Sequence, residues 1–108
     1  MIQKIFLLLA FTLFTTTVSS QNDATEKANT LTNEMTQALS LGEEVKTKIY
    51  EIQLNRFQEA ETIREQYMDD SETKKAELKK MYNRLYGKLK ATLGEEKMKA
   101  WNVYKKNN

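Results

Sequence analysis

The side chains able to do chemistry fall into a few groups. Carboxylates occur as two adjacent pairs, Glu43-Glu44 and Glu95-Glu96, and as the run Asp69-Asp70-Ser71-Glu72. Paired carboxylates are the equipment of general acid–base hydrolysis, and an oxygen-rich run is that of a hard cation such as calcium. Neither function fits the spacing. Neighbours on a helix diverge by about 100°, so each glutamate pair splays apart instead of converging on a substrate. Two acids just after a glycine are better explained as negative charge on the positive end of a starting helix. The acidic run lacks the alternation and glycine of a calcium loop and reads as a turn with a helix cap. There is no histidine and no cysteine, and beyond residue 20 only Ser40 and Ser71 remain as serines. The usual nucleophile and base are therefore missing. No enzyme is expected, and no catalytic, cofactor-binding or metal-ligating residue is assigned.

Basic side chains form the other conspicuous group, with Lys75, Lys79, Lys80, Arg84, Lys88 and Lys90 within one predicted helix. They are spread around it and not gathered on one strip, so they read as a solvated face, and nucleic acid is not an expected partner. Tyr50, Leu54, Met81 and Tyr86 fall at or beyond the edges of the apolar stripes. Together with Arg84 and Lys88 they are the candidate surface for a client or partner protein, with packing in the core or in a dimer as the competing role.

The elements that must position these groups follow from one repeated phrase. Leu41-Gly42-Glu43-Glu44 returns as Leu93-Gly94-Glu95-Glu96, in a chain of 108 residues with only three glycines and no proline. Each copy is expected to end one helix and start another, with Gly42 and Gly94 taking a left-handed closing conformation. Before the first copy, Asp23 and Glu26 form a capping box, and Ala24, Ala28, Leu31, Met35 and Ala38 make a narrow apolar stripe. Between the copies, Val45, Ile49, Ile52, Ala60, Ile63 and Tyr67 make one stripe. Leu78, Met81, Tyr82, Leu85, Leu89 and Leu93 make the next, with Gly87 as a mark of close packing. After the second copy, Met98, Trp101 and Tyr104 give about three turns. The fold class is all-α, with four helices at about 23–40, 43–69, 72–93 and 95–106 and a long antiparallel central hairpin.

Asp69 or Ser71 is the expected cap at the hairpin's reversal, and residue numbers facing each other across it should sum to 141 or 142. Ile63 then meets Leu78, Ala60 meets Tyr82, Phe57 meets Leu85, Ile52 meets Leu89 and Ile49 meets Leu93. Glu61, Glu65 and Glu51 fall near Lys79, Lys75 and Lys90. Charge supports an antiparallel pairing of this kind. Residues 21–72 carry 5 basic and 12 acidic side chains, whereas residues 73–108 carry 11 and 3, behind a formal net charge of +2. Halves of opposite sign attract within one chain or between two, and a homodimer is expected.

Residues 1–20 read as a secretory signal peptide. Lys4 precedes an apolar run from Ile5 to Phe14, and Val18 and Ser20 are the small residues before a cut that would leave Gln21 first. The run is shorter than the roughly twenty residues a membrane span needs, so no stable insertion is expected after cleavage. Residues 21–108 are then a single helical domain, periplasmic or secreted.

An exported all-helical chain with a leucine-led turn repeated near the carboxyl end resembles the Spy/CpxP family of periplasmic proteins, whose hallmark is a duplicated LTxxQ motif. The motif positions fall here on Leu41, Gly42 and Val45 and on Leu93, Gly94 and Lys97; the leucines match, the threonines and glutamines do not. The turn pattern is also similar to that of small secreted helical proteins of Bacteroidetes-type bacteria. The resemblance implies an elongated four-helix protein that dimerises into a cradle, and either an ATP-independent chaperone of unfolded clients or an envelope-stress adaptor. The other expectation is a structural or signalling partner of one envelope protein.

Overall fold

The computed structural model describes residues 23–108; the export segment proposed for residues 1–20 lies outside the described residues. Four helices and no strand occur among those residues. They are α1 over 23–39, α2 (Glu43–Gln66), α3 (Ser71–Leu93) and α4 (Glu95–Asn107). α2 spans about 36 Å at 1.5 Å per residue. It is the centre of the molecule, with α1 and α3 both packed antiparallel against it. Met35, Leu39 and Leu41 join Ile49 of α2 and Leu89 and Leu93 of α3 in the main core, which α4 closes with Met98 and Trp101. A smaller cluster of Ala60, Ile63 and Met81 holds the far end of the hairpin.

Ala60, Ile63 and Met81 share one buried cluster with Leu78 packed against it, so Met81 and not Tyr82 fills the seam at that end of the hairpin. Met81 is 2% exposed and Tyr82 is 40% exposed. The thioether has no polar group to keep wet, whereas tyrosine inside the seam would need a partner for its hydroxyl. In α1 the buried stripe is Ala24, Ala28, Thr32, Met35 and Leu39. Ala38 is exposed and Leu31 half-buried. Turning Leu39 inward removes more apolar surface from water than Ala38 offers, and the whole stripe rotates with it.

The turns differ from expectation in instructive ways. α1 is closed by Ser40, the one residue other than glycine with positive φ among those described, at 54°. The Leu41 N–H donates to the Thr36 carbonyl at 3.1 Å, the long-range bond of a Schellman ending. Gly42 is instead extended, with φ −76° and ψ 168°, and serves as the N-cap of α2. Gly94, with φ 88° and ψ 165°, is at once the last cap of α3 and the first of α4. At the hairpin, α2 stops at Gln66 and α3 starts at Ser71, with Asp70 as the cap in place of Asp69 or Ser71. Asp70 wins because its carboxylate takes both the Thr73 N–H, at 3.1 Å, and the Thr73 hydroxyl, at 2.6 Å. Asp23 lies in α1 and pairs with Lys27 at 3.2 Å. Gly87 does not mark close packing, since a Cβ added there would meet nothing within 4 Å.

The ion pairs expected between Glu61, Glu65, Glu51 and Lys79, Lys75, Lys90 are not formed. Among the described residues one ion pair crosses the hairpin, between Arg84 and Glu59. Exposed pairs of long side chains gain little over solvated ions, so apolar contacts set the register and the charges follow. No helix among the described residues is long and apolar enough to cross a membrane.

Candidate functional site

The six residues expected to form one binding surface are dispersed. Met81 is buried in the hairpin seam, where it packs with Ala60 and Ile63. It shares a small crevice with Arg84 and Lys88, and Arg84 is engaged by Glu59. Tyr50 and Leu54 are half-buried on α2, and Leu54 lies about 140° round that helix from Glu59 at 3.6 residues per turn. Tyr86, 47% exposed, lies about 160° round α3 from Arg84 by the same geometry. The structure thus joins Met81, Arg84 and Lys88, with Met81 unavailable to solvent, and leaves Tyr50, Leu54 and Tyr86 on other faces.

What the helices do build is a cleft of about 640 Å³ to which all four contribute. Its floor is apolar, with Leu31 from α1, Phe57 from α2, Leu85 and Leu89 from α3 and Trp101 from α4. Along one rim α1 places Asp23, Glu26 and Glu34, with Lys27 tied to Asp23. Arg56 of α2 and Lys105 of α4 also line it. α4 closes the Gly42 and Gly94 end of the core, anchored there by Met98 and Trp101, and adds Trp101 and Lys105 to the cleft.

The walls are stiffened by ring contacts. The Arg56 guanidinium lies 4.2 Å from the centre of the Phe57 ring and 5.6 Å from that of Tyr82. Trp101 and Tyr104 stack at 5.3 Å with 14° between their planes, and Lys105 Nζ is 5.9 Å from the Trp101 ring. Cations over ring faces are weakly attracted, so Arg56 and Lys105 rest against these rings.

One polar side chain reaches the floor. Gln53, 2% exposed, lines the cleft within the buried stripe of α2. Its Nε2 donates only to the Met35 sulfur, at 3.5 Å, and its Oε1 has no hydrogen-bond partner among the described residues. The sequence carried this signal: Ile49, Gln53, Ala60 and Ile63 fall at helical spacing on one face of α2, and Gln53 is the one polar member of that buried set.

The two hydrogen bonds from Thr73, side chain first and backbone second, hold the Asp70 carboxyl below its ordinary value. Asp70 is therefore occupied as a cap, and among the described residues no three acidic side chains gather in a metal-holding group. What the cleft offers is binding: an apolar floor, charged rims and one buried amide. No protein-family model matches the chain, and neither the curated proteins nor the solved structures contain a match to it.

Proposed function

We propose that this chain is an extracytoplasmic protein-binding module that holds apolar segments of other polypeptides without ATP, as a chaperone or an envelope-stress adaptor. The observation that carries the reading is the four-helix cleft, whose lining combines a hydrophobic floor with acidic side chains of α1 and the cations of Arg56 and Lys105. A trough of this size and composition suits a short run of apolar side chains, while rims of both signs attract flanking charges without selecting a sequence. The placement outside the cytoplasm rests on the signal-peptide reading of residues 1–20, and the likeness to Spy/CpxP proteins points the same way. A single dedicated envelope partner is the second reading, and the unpaired amide of Gln53 favours it, because a buried polar group rewards a matching ligand.

The test is suppression of aggregation. The purified protein at equimolar ratio should delay aggregation of several unrelated denatured proteins, less so at high salt. Phe57→Gln should weaken the effect with helicity retained. Met68→Ser should not, although Met68 is 70% exposed at the hairpin tip, because it lies outside the cleft. Delay of none of them, with recovery of one protein from an envelope extract, would favour the dedicated partner; equal loss in both variants would locate binding away from the cleft.

A further inference from the structure

The amide of Gln53 is an anomaly within its helix. It stands in the stripe that buries Ile49 and Ala60, where an aliphatic side chain would pack without leaving a polar atom alone. Sulfur is a weak acceptor and no donor, so the NH₂ end is the one that faces Met35. That leaves the carbonyl end unpaired in a residue that borders the cleft; the oxygen itself is sealed from solvent, so a ligand meets it only once the side chain turns toward the trough.

We infer that Gln53 is the specificity-determining acceptor of the cleft, and that the segment taken there presents an aromatic side chain with its own donor, tryptophan or tyrosine, whose ring N–H or O–H meets the Gln53 carbonyl. The inference rests on the protein-binding reading and narrows it. The group that fills the cleft must be mostly apolar to cover Leu31, Phe57, Leu89 and Trp101, and it must carry one donor. Serine, threonine and asparagine have donors but too little apolar surface for that floor. Lysine and arginine have donors but carry a full charge, which Asp23, Glu26 and Glu34 draw to the rim and which would lose its hydration beside Gln53 on the floor. Phenylalanine and leucine cover the floor and leave the carbonyl unpaired. Indole and phenol alone combine a large apolar body with a polar tip.

The experiment is calorimetric titration of the purified protein with capped peptides that share the same flanks and differ at one central residue: Trp, Tyr, Phe or Leu. With the native protein, the Trp or the Tyr peptide should bind about three- to tenfold more tightly than the Phe peptide, the factor one ordinary hydrogen bond supplies. In Gln53→Leu that preference should vanish, with the Phe peptide bound at least as well as before and the melting temperature raised. Gln53→Met, closer in length, replaces it if the leucine variant does not fold. If the native protein does not prefer Trp or Tyr over Phe, or if the preference survives in the variant, the role of Gln53 is overturned and the cleft remains a general protein-binding site. If no peptide binds, the inference falls together with the binding role of the cleft.

Discussion

Gly42 and Gly94 stand at the same place in two identical four-residue phrases, yet their backbones diverge: Gly42 has φ −76° and Gly94 has φ 88°. The difference lies upstream. After α1, Ser40 has already taken the left-handed step that turns the chain, so Gly42 only has to cap. After α3 no residue intervenes between helices, so Gly94 makes the whole turn itself. With ψ 165° it sits in a region that only glycine occupies readily. Gly94→Ala should therefore destabilise the protein by about 1–3 kcal/mol even though its Cβ would touch nothing. Gly42→Ser, at an ordinary φ and an N-cap position, should be neutral or gain a few tenths of a kcal/mol. Urea titrations of the two variants check the contrast; equal losses at both sites would show that the repeats are equivalent.

Ser40 is the complementary case. A side chain in the left-handed region is strained by about 1–2 kcal/mol, and glycine there relieves it while adding about 0.4–1 kcal/mol of freedom to the unfolded chain. Ser40→Gly should leave a net gain of about 0.5–1 kcal/mol, read as a higher urea midpoint at unchanged slope. A loss would mean that the Ser40 side chain makes a compensating bond.

Helix number, order and pairing were legible in the sequence because the apolar stripes keep a helical period and glycine is scarce enough to punctuate. That Ile63 and Leu78 belong to one cluster follows from arithmetic on those stripes alone. What was not legible depends on competition between near-equal choices. Ser40 over Gly42 as the turning residue, Asp70 over Asp69 as the cap, and Met81 over Tyr82 in the seam each differ by one or two positions and by energies near thermal scale. The cleft was missed for another reason. Edge positions of single stripes say nothing about a trough made by four helices, and α4 contributes to it only once Trp101 is docked.

Thr32 is the second buried polar side chain without a partner. Its Oγ1 makes no hydrogen bond among the described residues, and the residue is 2% exposed in α1. Unlike Gln53 it does not line the cleft. Thr32→Val keeps the shape and removes the stranded hydroxyl, so it should stabilise the protein by about 1 kcal/mol without altering aggregation suppression or peptide binding. Altered binding at equal or higher stability would give Thr32 a functional role that its position does not suggest.

The hairpin cap should make stability depend on acid. The Thr73 hydrogen bonds lower the Asp70 pKa from its ordinary 3.8, so the ionised form is favoured by folding. The contribution is fully present above the unfolded value and is lost as pH falls below it through the depressed folded value. Asp70→Asn, which still accepts from the Thr73 N–H but does not titrate, should flatten the melting curve's dependence on pH in that acid window. At neutral pH the native protein should remain the more stable of the two. An unchanged pH dependence in the variant would assign the acid sensitivity to other carboxylates.

Trp101 belongs to the core and to the cleft at once, and the two roles separate by substitution. Its 3% exposure and its place with Met98, Leu89 and Leu93 make it the anchor of α4. Trp101→Ala should cost about 3–5 kcal/mol, a large share of the 5–15 kcal/mol that a domain of this kind commands, and undock α4. Any binding defect in that variant is then a folding defect. Trp101→Phe keeps a ring in the cavity and against Tyr104, so α4 should stay docked and helicity should persist. As the only tryptophan in the chain, Trp101 also reports on the cleft directly. A bound Tyr, Phe or Leu peptide should reduce its quenching by acrylamide. Protection by these peptides in the native protein, at concentrations matching calorimetric binding, ties the heat to the cleft, whereas binding heat with unchanged quenching would place the peptide on another face of the helices.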